Sequence, residues 1–296
     1  MRRRRLECLL LWSVAVTTAS NSDLFTAPTS FDAASVSTWR EKLLAWRAAI
    51  VAEIGYNGSI YDEPALAWSR LAYVQPQVHL YDRALYSNGS YTVETFLDGL
   101  EHRYGGIDAV LLWPTYTNIG IDDRNQFDYF RALPGGGLDA MADVTQRFHA
   151  RGVKVLWAYN PWDEGTRYEG EPDATAMAAL LATTGGDGFN GDTMGSVGEE
   201  FYAASVAAGR PAVLEPEGGG YGDWAAANWE TMGWGYWWAS TAPDDNFTTS
   251  YDVAPGVDKL KWLDSSTSQM SMCVCVCLYI HIPTLSLVEF LIRSLH

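Results

Sequence analysis

Five side chains in the middle of the chain could do or support chemistry: the carboxylates Asp192, Glu215 and Glu217, suited to proton transfer or nucleophilic attack, and the amides Asn160 and Asn190, suited to hydrogen bonding beside them. Asp192 closes the run Gly188-Phe189-Asn190-Gly191-Asp192, in which alternation puts Asn190 and Asp192 on one face of a strand and Phe189 on the other. Glu215 and Glu217 share a face of Val213-Leu214-Glu215-Pro216-Glu217 where that segment stays extended. Two carboxylates converging on one bond divide the work: one attacks or activates water, while the other lends and takes a proton. Asp192 and either Glu217 or Glu215 are thus the candidate catalytic carboxylates for these two roles.

These residues must be held in place by the elements around them. Apolar runs at 74–80, 109–113, 153–159, 187–192, 212–214 and 235–239 read as strands, and they alternate with helical patterns at 93–104, 138–151, 174–183 and 199–208. Such alternation predicts an α/β fold with a parallel sheet and right-handed crossovers. The expected architecture is a (β/α)8 TIM barrel with the candidate residues at the C-terminal ends of its strands. A closed barrel needs eight strands and six are legible between residues 73 and 264, so an incomplete barrel is expected. Before it, residues 21–35 read as a Ser/Thr/Ala-rich linker, and Val36, Trp39, Leu43, Trp46 and Ile50 mark a packing helix within the N-terminal segment 21–72.

Further polar and aromatic residues cluster where strands become loops. The segment after the second strand holds Trp113, Tyr116, Asp122, Asp123 and Arg124; the third strand runs out into Asn160, Trp162 and Asp163; the first ends at His79, Tyr81, Asp82 and Arg83. Trp237 lies in an aromatic run that either floors a subsite or fills the core. Rings beside carboxylates and amides suit a sugar, whose C–H faces stack on aromatics while its hydroxyls seek charged or amide partners. The bland alternatives are a paired Asp–Arg turn around Asp123 and Arg124 and a structural ion pair of Asp82 with Arg83.

Composition excludes several classes. The net charge is −16, with no Lys/Arg cluster beyond the first five residues, which argues against a nucleic-acid partner. No glycine-rich nucleotide loop and no G-x-S-x-G elbow is present. The His residues of the body, His79, His102 and His149, are widely spaced without H-E-x-x-H, so no metal site is expected. The carboxylate-pair reaction calls for no cofactor.

The two ends of the chain differ from its body. Residues 1–20, with Arg2 to Arg5, an apolar stretch at 9–16 and small residues after it, read as a secretory signal peptide. Their removal takes away four Arg and one Glu and lowers the charge from −16 to about −19. Asn57, Asn88 and Asn246 begin N-x-S/T sequons usable as glycosylation sites on that route. Cys8, Cys273, Cys275 and Cys277 are the cysteines, so residues 21–264 fold without disulfides. The Cys-Val alternation at 273–277 is what a translated dinucleotide repeat encodes, and residues 265–296 are read as an atypical tail foreign to the domain. His281, Pro283 and Glu289 make a spanning helix there poor, so stable membrane insertion is not expected. Alternate cysteines also lack the C-x2-C spacing of a zinc site.

The runs Val153-Lys154-Val155-Leu156-Trp157-Ala158-Tyr159-Asn160-Pro161-Trp162-Asp163 and Asp187-Gly188-Phe189-Asn190-Gly191-Asp192-Thr193-Met194 together resemble barrel glycoside hydrolases of the α-galactosidase and α-L-fucosidase kind. The resemblance extends over residues 73–264. It implies a retaining mechanism whose nucleophile is the Asp at the end of the fourth strand, a position matched by Asp192, and a carbohydrate substrate. Asn190 and Gly191 stand where many members carry apolar residues. A non-catalytic, carbohydrate-binding barrel is the alternative reading.

Overall fold

The periodicity of the sequence becomes a sheet of parallel strands joined by helices. The computed structural model describes residues 30, 32–114, 122–162, 167–217 and 224–233. In chain order its elements are α1 (Ala33–Ile54), β1 (Gln77–His79), β2 (Tyr86–Ser87), β3 (Ser90–Tyr91), α2 (Val93–Tyr104), β4 (Ala109–Trp113), α3 (Gln126–Arg131), α4 (Leu138–Ala150), β5 (Lys154–Tyr159), α5 (Asp173–Thr184), β6 (Gly188–Gly191), α6 (Glu199–Ala207) and β7 (Val213–Pro216), with 3-10 turns at Ser59–Asp62, Ala67–Leu71 and Ala225–Asn228. Strands β1, β4, β5, β6 and β7 pair in that order, every pair parallel. The fold is therefore mixed α/β around a parallel sheet. The sequence-predicted strand at 235–239, the segment 1–20 and the tail 265–296 lie outside the described residues.

Both faces of this sheet are covered. β4 reads Ala-Val-Leu-Leu-Trp and is buried at every position, as a strand covered on both sides must be. Alternation splits its residues between two cores. Val110, Leu112, Val155, Trp157, Phe189 and Leu214 pack outward under the helices, with Phe96 and Leu100 of α2 and Val144 and Phe148 of α4. Ala109, Leu111, Trp113, Leu156, Ala158 and Val213 face inward and meet Tyr56, Ile60, Tyr61, Leu66, Ala72, Ala227 and Met232. Each large apolar side chain so covered contributes about 1.5–3 kcal/mol. The inner face is thus filled by the chain before β1 and by the segment after β7. Their backbones are tied across it: the Tyr61 hydroxyl donates to the Thr231 carbonyl at 3.3 Å, and Asn228 Nδ2 to the Ile54 carbonyl at 3.0 Å.

Local chemistry explains the element ends. α2 buries Val93, Phe96, Leu97 and Leu100, one helical stripe, and stops where Gly105 takes φ 83. Gly188 opens β6 because a side chain there would drive into the Val213 backbone of β7. That close approach sets the register in which Asn190 stands beside Glu215.

Three expectations need correction. The first strand is shorter than 74–80, because Pro76 lacks the N–H that a continuous ladder requires. The linker gives way to helix at Ala33, where Asp32 caps the amides of Ala34 and Ser35 at 3.1 and 2.9 Å. The long segment after β4 contains α3, started by a capping box between Asn125 and Asp128. The hairpin β2–β3 was also missed, although Asn88-Gly89, with φ 53 and 81, is the turn dipeptide that such hairpins prefer.

Candidate functional site

The C-terminal ends of β5, β6 and β7 bring together the two amides and three carboxylates named first from the sequence. Asn160 directly follows β5, Asp192 directly follows β6, and Glu215 and Glu217 lie at the end of β7. Ala158 pairs with Asn190, and Asn190 with Glu215, so these side chains share the inward face. The Asp192 amide donates to the Tyr159 carbonyl at 2.8 Å, extending the β5–β6 ladder by one residue. Asn160 Nδ2 then donates to Asp192 Oδ2. Asn160 is itself fixed, its amide donating to Gln126 Oε1 at 2.7 Å, which makes α3 the support of the Asp192 carboxylate.

Glu215 is fully buried, and its described donors are neutral. Gln75 Nε2 reaches both of its oxygens, at 2.9 and 2.8 Å, and Asn190 Nδ2 reaches Oε2 at 3.1 Å. Amide donors orient a carboxylate without cancelling its charge. Among the described residues, Asn190 Oδ1 and Gln75 Oε1 have no hydrogen-bond partner. Two unmet buried acceptors carry a cost of about 1–3 kcal/mol each, and a hydroxyl donor would relieve it.

Glu217 is half-buried and belongs to the rim. Its amide donates to the Gly191 carbonyl at 3.1 Å, and its Oε2 accepts from the Thr193 amide. Thr193 has φ 62, a left-handed conformation that costs a β-branched residue about 1–3 kcal/mol. The turn that presents Asp192 is therefore strained and is held by Glu217. A second clamp lies one turn on: fully buried Glu230 accepts from Ser196 Oγ at 2.8 Å and from the Val197 amide at 2.5 Å.

Other predicted residues lie elsewhere. Trp113 is 1% exposed and belongs to the inner core, so it offers no ring face to a ligand. Asp122 pairs with Arg124, Nε to Oδ1 at 2.8 Å, and the guanidinium lies 5.0 Å from the Tyr129 ring; the Asp–Arg turn is real, with Asp122 in place of Asp123. Asp82 is not paired with Arg83 among the described residues and instead accepts from the Ala84 amide at 2.7 Å. His79 stacks on Tyr81 with centroids 5.7 Å apart; burial pushes its pKa down, against the Asp82 charge and the Trp113 backbone. Trp162 is 47% exposed beside the β5 end. Tyr116, Asp163, Trp237 and Asn246 lie outside the described residues. Asn57 and Asn88 are exposed.

Sequence reasoning missed Gln75, Gln126 and Glu230. Gln126 had a signal, since Asn125 with Asp128 three residues later announces a helix start that fixes its direction. Gln75 had none, because its partner is 140 residues away.

The opposite ends of the strands hold a different cluster. Asp187, just before β6, accepts from His149 Nε2 at 2.6 Å, Lys154 Nζ at 3.0 Å and the Val155 amide at 2.9 Å. Burial pushes the Asp187 carboxyl up, but those bonds and the charges of His149 and Lys154 outweigh it and hold its pKa below the ordinary 3.8. His149, on the last turn of α4, is thus a hydrogen-bond partner of a buried carboxylate. Among the described residues no group of three or more His, Cys, Asp or Glu is arranged to hold a metal, and no helix is long and apolar enough to cross a membrane.

No family model matches the chain, and no curated sequence matches it. Solved structures do resemble it in part. A noncanonic maltogenic alpha-amylase from Thermotoga neapolitana aligns at 14% identity and TM-score 0.39 over 56% of this chain and 49% of its own. An alpha-amylase from Malbranchea cinnamomea aligns at 14% identity and TM-score 0.36 over 57% and 52%. The catalytic module of a glycogen-degrading pneumococcal virulence factor, in complex with an inhibitor, aligns at 16% identity and TM-score 0.34 over 51% and 32%. The chain thus spans about half or less of the structures that it matches.

Proposed function

We propose that the chain is a glycoside hydrolase domain of the secretory route, in which the five strands of the parallel sheet belong to a (β/α)8 barrel and Asp192 attacks the anomeric carbon. The reading rests on one observation above the others: Asp192, Asn160, Glu215 and Glu217 converge at the C-terminal ends of adjacent parallel strands, with amides orienting two of the three carboxylates. In a retaining reaction the Asp192 carboxylate forms a glycosyl ester as the bond to the leaving oxygen breaks. An acid delivers a proton to that oxygen, then takes one from the water that cleaves the ester. Glu217 fits the acid/base role better than Glu215, because it sits at the rim, where a leaving group can depart, whereas Glu215 is sealed. The unmet acceptors on Asn190 and Gln75 suit sugar hydroxyls. The likeness of the β5 and β6 runs to α-galactosidases and α-L-fucosidases supports the retaining assignment.

The test is turnover of a panel of aryl α- and β-glycosides by the full chain and by Asp192→Asn and Glu217→Gln. Asp192→Asn should abolish hydrolysis. Glu217→Gln should spare substrates with good leaving groups more than poor ones. Undiminished turnover in Asp192→Asn removes that residue from the nucleophile role.

One observation favours a non-catalytic carbohydrate-binding barrel: Asp192 is only 4% exposed, beneath the turn that Glu217 holds. Saturable sugar binding without cleavage of any glycoside in the panel would support that reading.

A further inference from the structure

At the N-terminal ends of the strands, remote from Asp192, a cavity of about 440 Å³ opens between Ala65, His149, Lys154, Asp187, Arg210 and the glycines Gly185 and Gly209. Its size falls within the range of small-molecule sites, and its wall is unusual for this chain. The protein carries a net charge of −16, yet two permanent cations, Lys154 and Arg210, face this cavity against one carboxylate, Asp187. Asp187 is already committed to Lys154 and His149. Arg210 has no carboxylate partner among the described residues. It donates Nε to the Gly186 carbonyl at 2.6 Å and Nη2 to the Gly185 carbonyl, which fixes the guanidinium and leaves Nη1 without a described hydrogen-bond partner. A guanidinium held rigid by backbone carbonyls, with an unspent donor and an unbalanced charge, matches the geometry of an oxyanion. Lys154 adds a point charge on the same wall, positioned over the Trp68 ring at 5.7 Å. Gly185 and Gly209 bring no side chain, so the backbone leaves room for a ligand of several heavy atoms.

We infer that this cavity is a binding site for a small phosphoryl oxyanion, separate from the carboxylate cluster and independent of the hydrolase reading. Inorganic phosphate and a phosphomonoester share the chemistry that Arg210 and Lys154 recognise. Calorimetric titration of the full chain with inorganic phosphate and with glycerol 3-phosphate, at constant ionic strength, tests the site and separates the two sources. Wild type should bind at least one of them saturably at one site per chain. Tighter binding of the ester identifies an organic phosphate as the natural occupant; tighter binding of phosphate identifies the free ion. Arg210→Gln should weaken binding at least tenfold. Because Arg210 also holds the Gly185 and Gly186 carbonyls, Ala65→Glu provides the second variant: Ala65 is exposed, so the substitution leaves the core untouched while placing a negative charge at the mouth. It too should weaken binding at least tenfold, whereas Arg103→Gln, on α2 and outside the cavity, should leave binding unchanged. No saturable binding of either probe, or unchanged affinity in a folded Ala65→Glu variant, overturns the inference.

Discussion

The two ends of the parallel sheet treat their carboxylates in opposite ways. At the C-terminal ends Asp192 and Glu215 take hydrogen bonds from the amides of Asn160, Asn190 and Gln75, which fix direction and carry no charge. At the N-terminal ends Asp187 takes its bonds from Lys154, whose charge neutralises it, from His149 and from a backbone amide. A carboxylate matched by cations is committed to structure, because using it chemically would strand those cations. A carboxylate oriented by amides keeps the charge that nucleophilic attack requires. The contrast matches the proposed chemistry at one end with stability at the other, on the same short strands.

That division can be broken by substitution. The largest effect is expected at the C-terminal end, where Asp192→Asn should lower glycoside turnover by about 1,000-fold or more while the urea midpoint moves little; a large loss of stability with turnover per folded molecule intact would reverse the assignment. At the other end Asp187→Asn should cost about 2 kcal/mol in urea unfolding and leave turnover per folded molecule unchanged, because a neutral side chain replaces the charged acceptor that Lys154, His149 and the Val155 amide share. The same residue sets an acid limit. Its folded pKa lies below 3.8, so its stabilising contribution is complete above that value and is lost as pH falls through the lowered folded pKa. The acid arm of the stability profile should therefore flatten in Asp187→Asn, and an unchanged arm would show that other carboxylates set it. Gln75→Leu leaves Glu215 buried with fewer donors and should cost about 2 kcal/mol. The smallest effect is expected from Lys154→Gln, no more than about 1 kcal/mol, because Lys154 is partly exposed and His149 remains to hold Asp187.

The parts legible from sequence were those written locally. Strand β4 announced itself as an unbroken apolar run, and helices α2 and α5 matched their periodicity within a residue at each end. Asn190 and Asp192 were placed on one face by alternation alone, and in the sheet Asn190 pairs with Ala158 and Glu215. What remained hidden depends on distance or on three dimensions. Trp113 carries a ring that suits a sugar, but alternation from Ala109 and Leu111 sends it into the inner core, a face whose filling comes from Tyr56 to Ala72 and from Ala227 and Met232, far away in sequence. Glu215 and Glu217 look alike in sequence, two residues apart, yet one is sealed and the other sits at the rim because β7 ends between them at Pro216. The cluster around Asp187 joins a helix end, a strand start and a loop, and no spacing rule links them.

The bridge from Gln75 to Glu215 has a kinetic meaning. It joins the approach to the first strand of the sheet with the last described strand, 140 residues apart, and four intervening strand–helix units must be in place before the two side chains can meet. A contact of that sequence separation closes a long loop and forms late, after local helices and neighbouring strand pairs have made the transition state. Its strength therefore governs how fast the native chain opens more than how fast it forms. The amide that orients a buried carboxylate is, on this view, also the latch whose release begins unfolding.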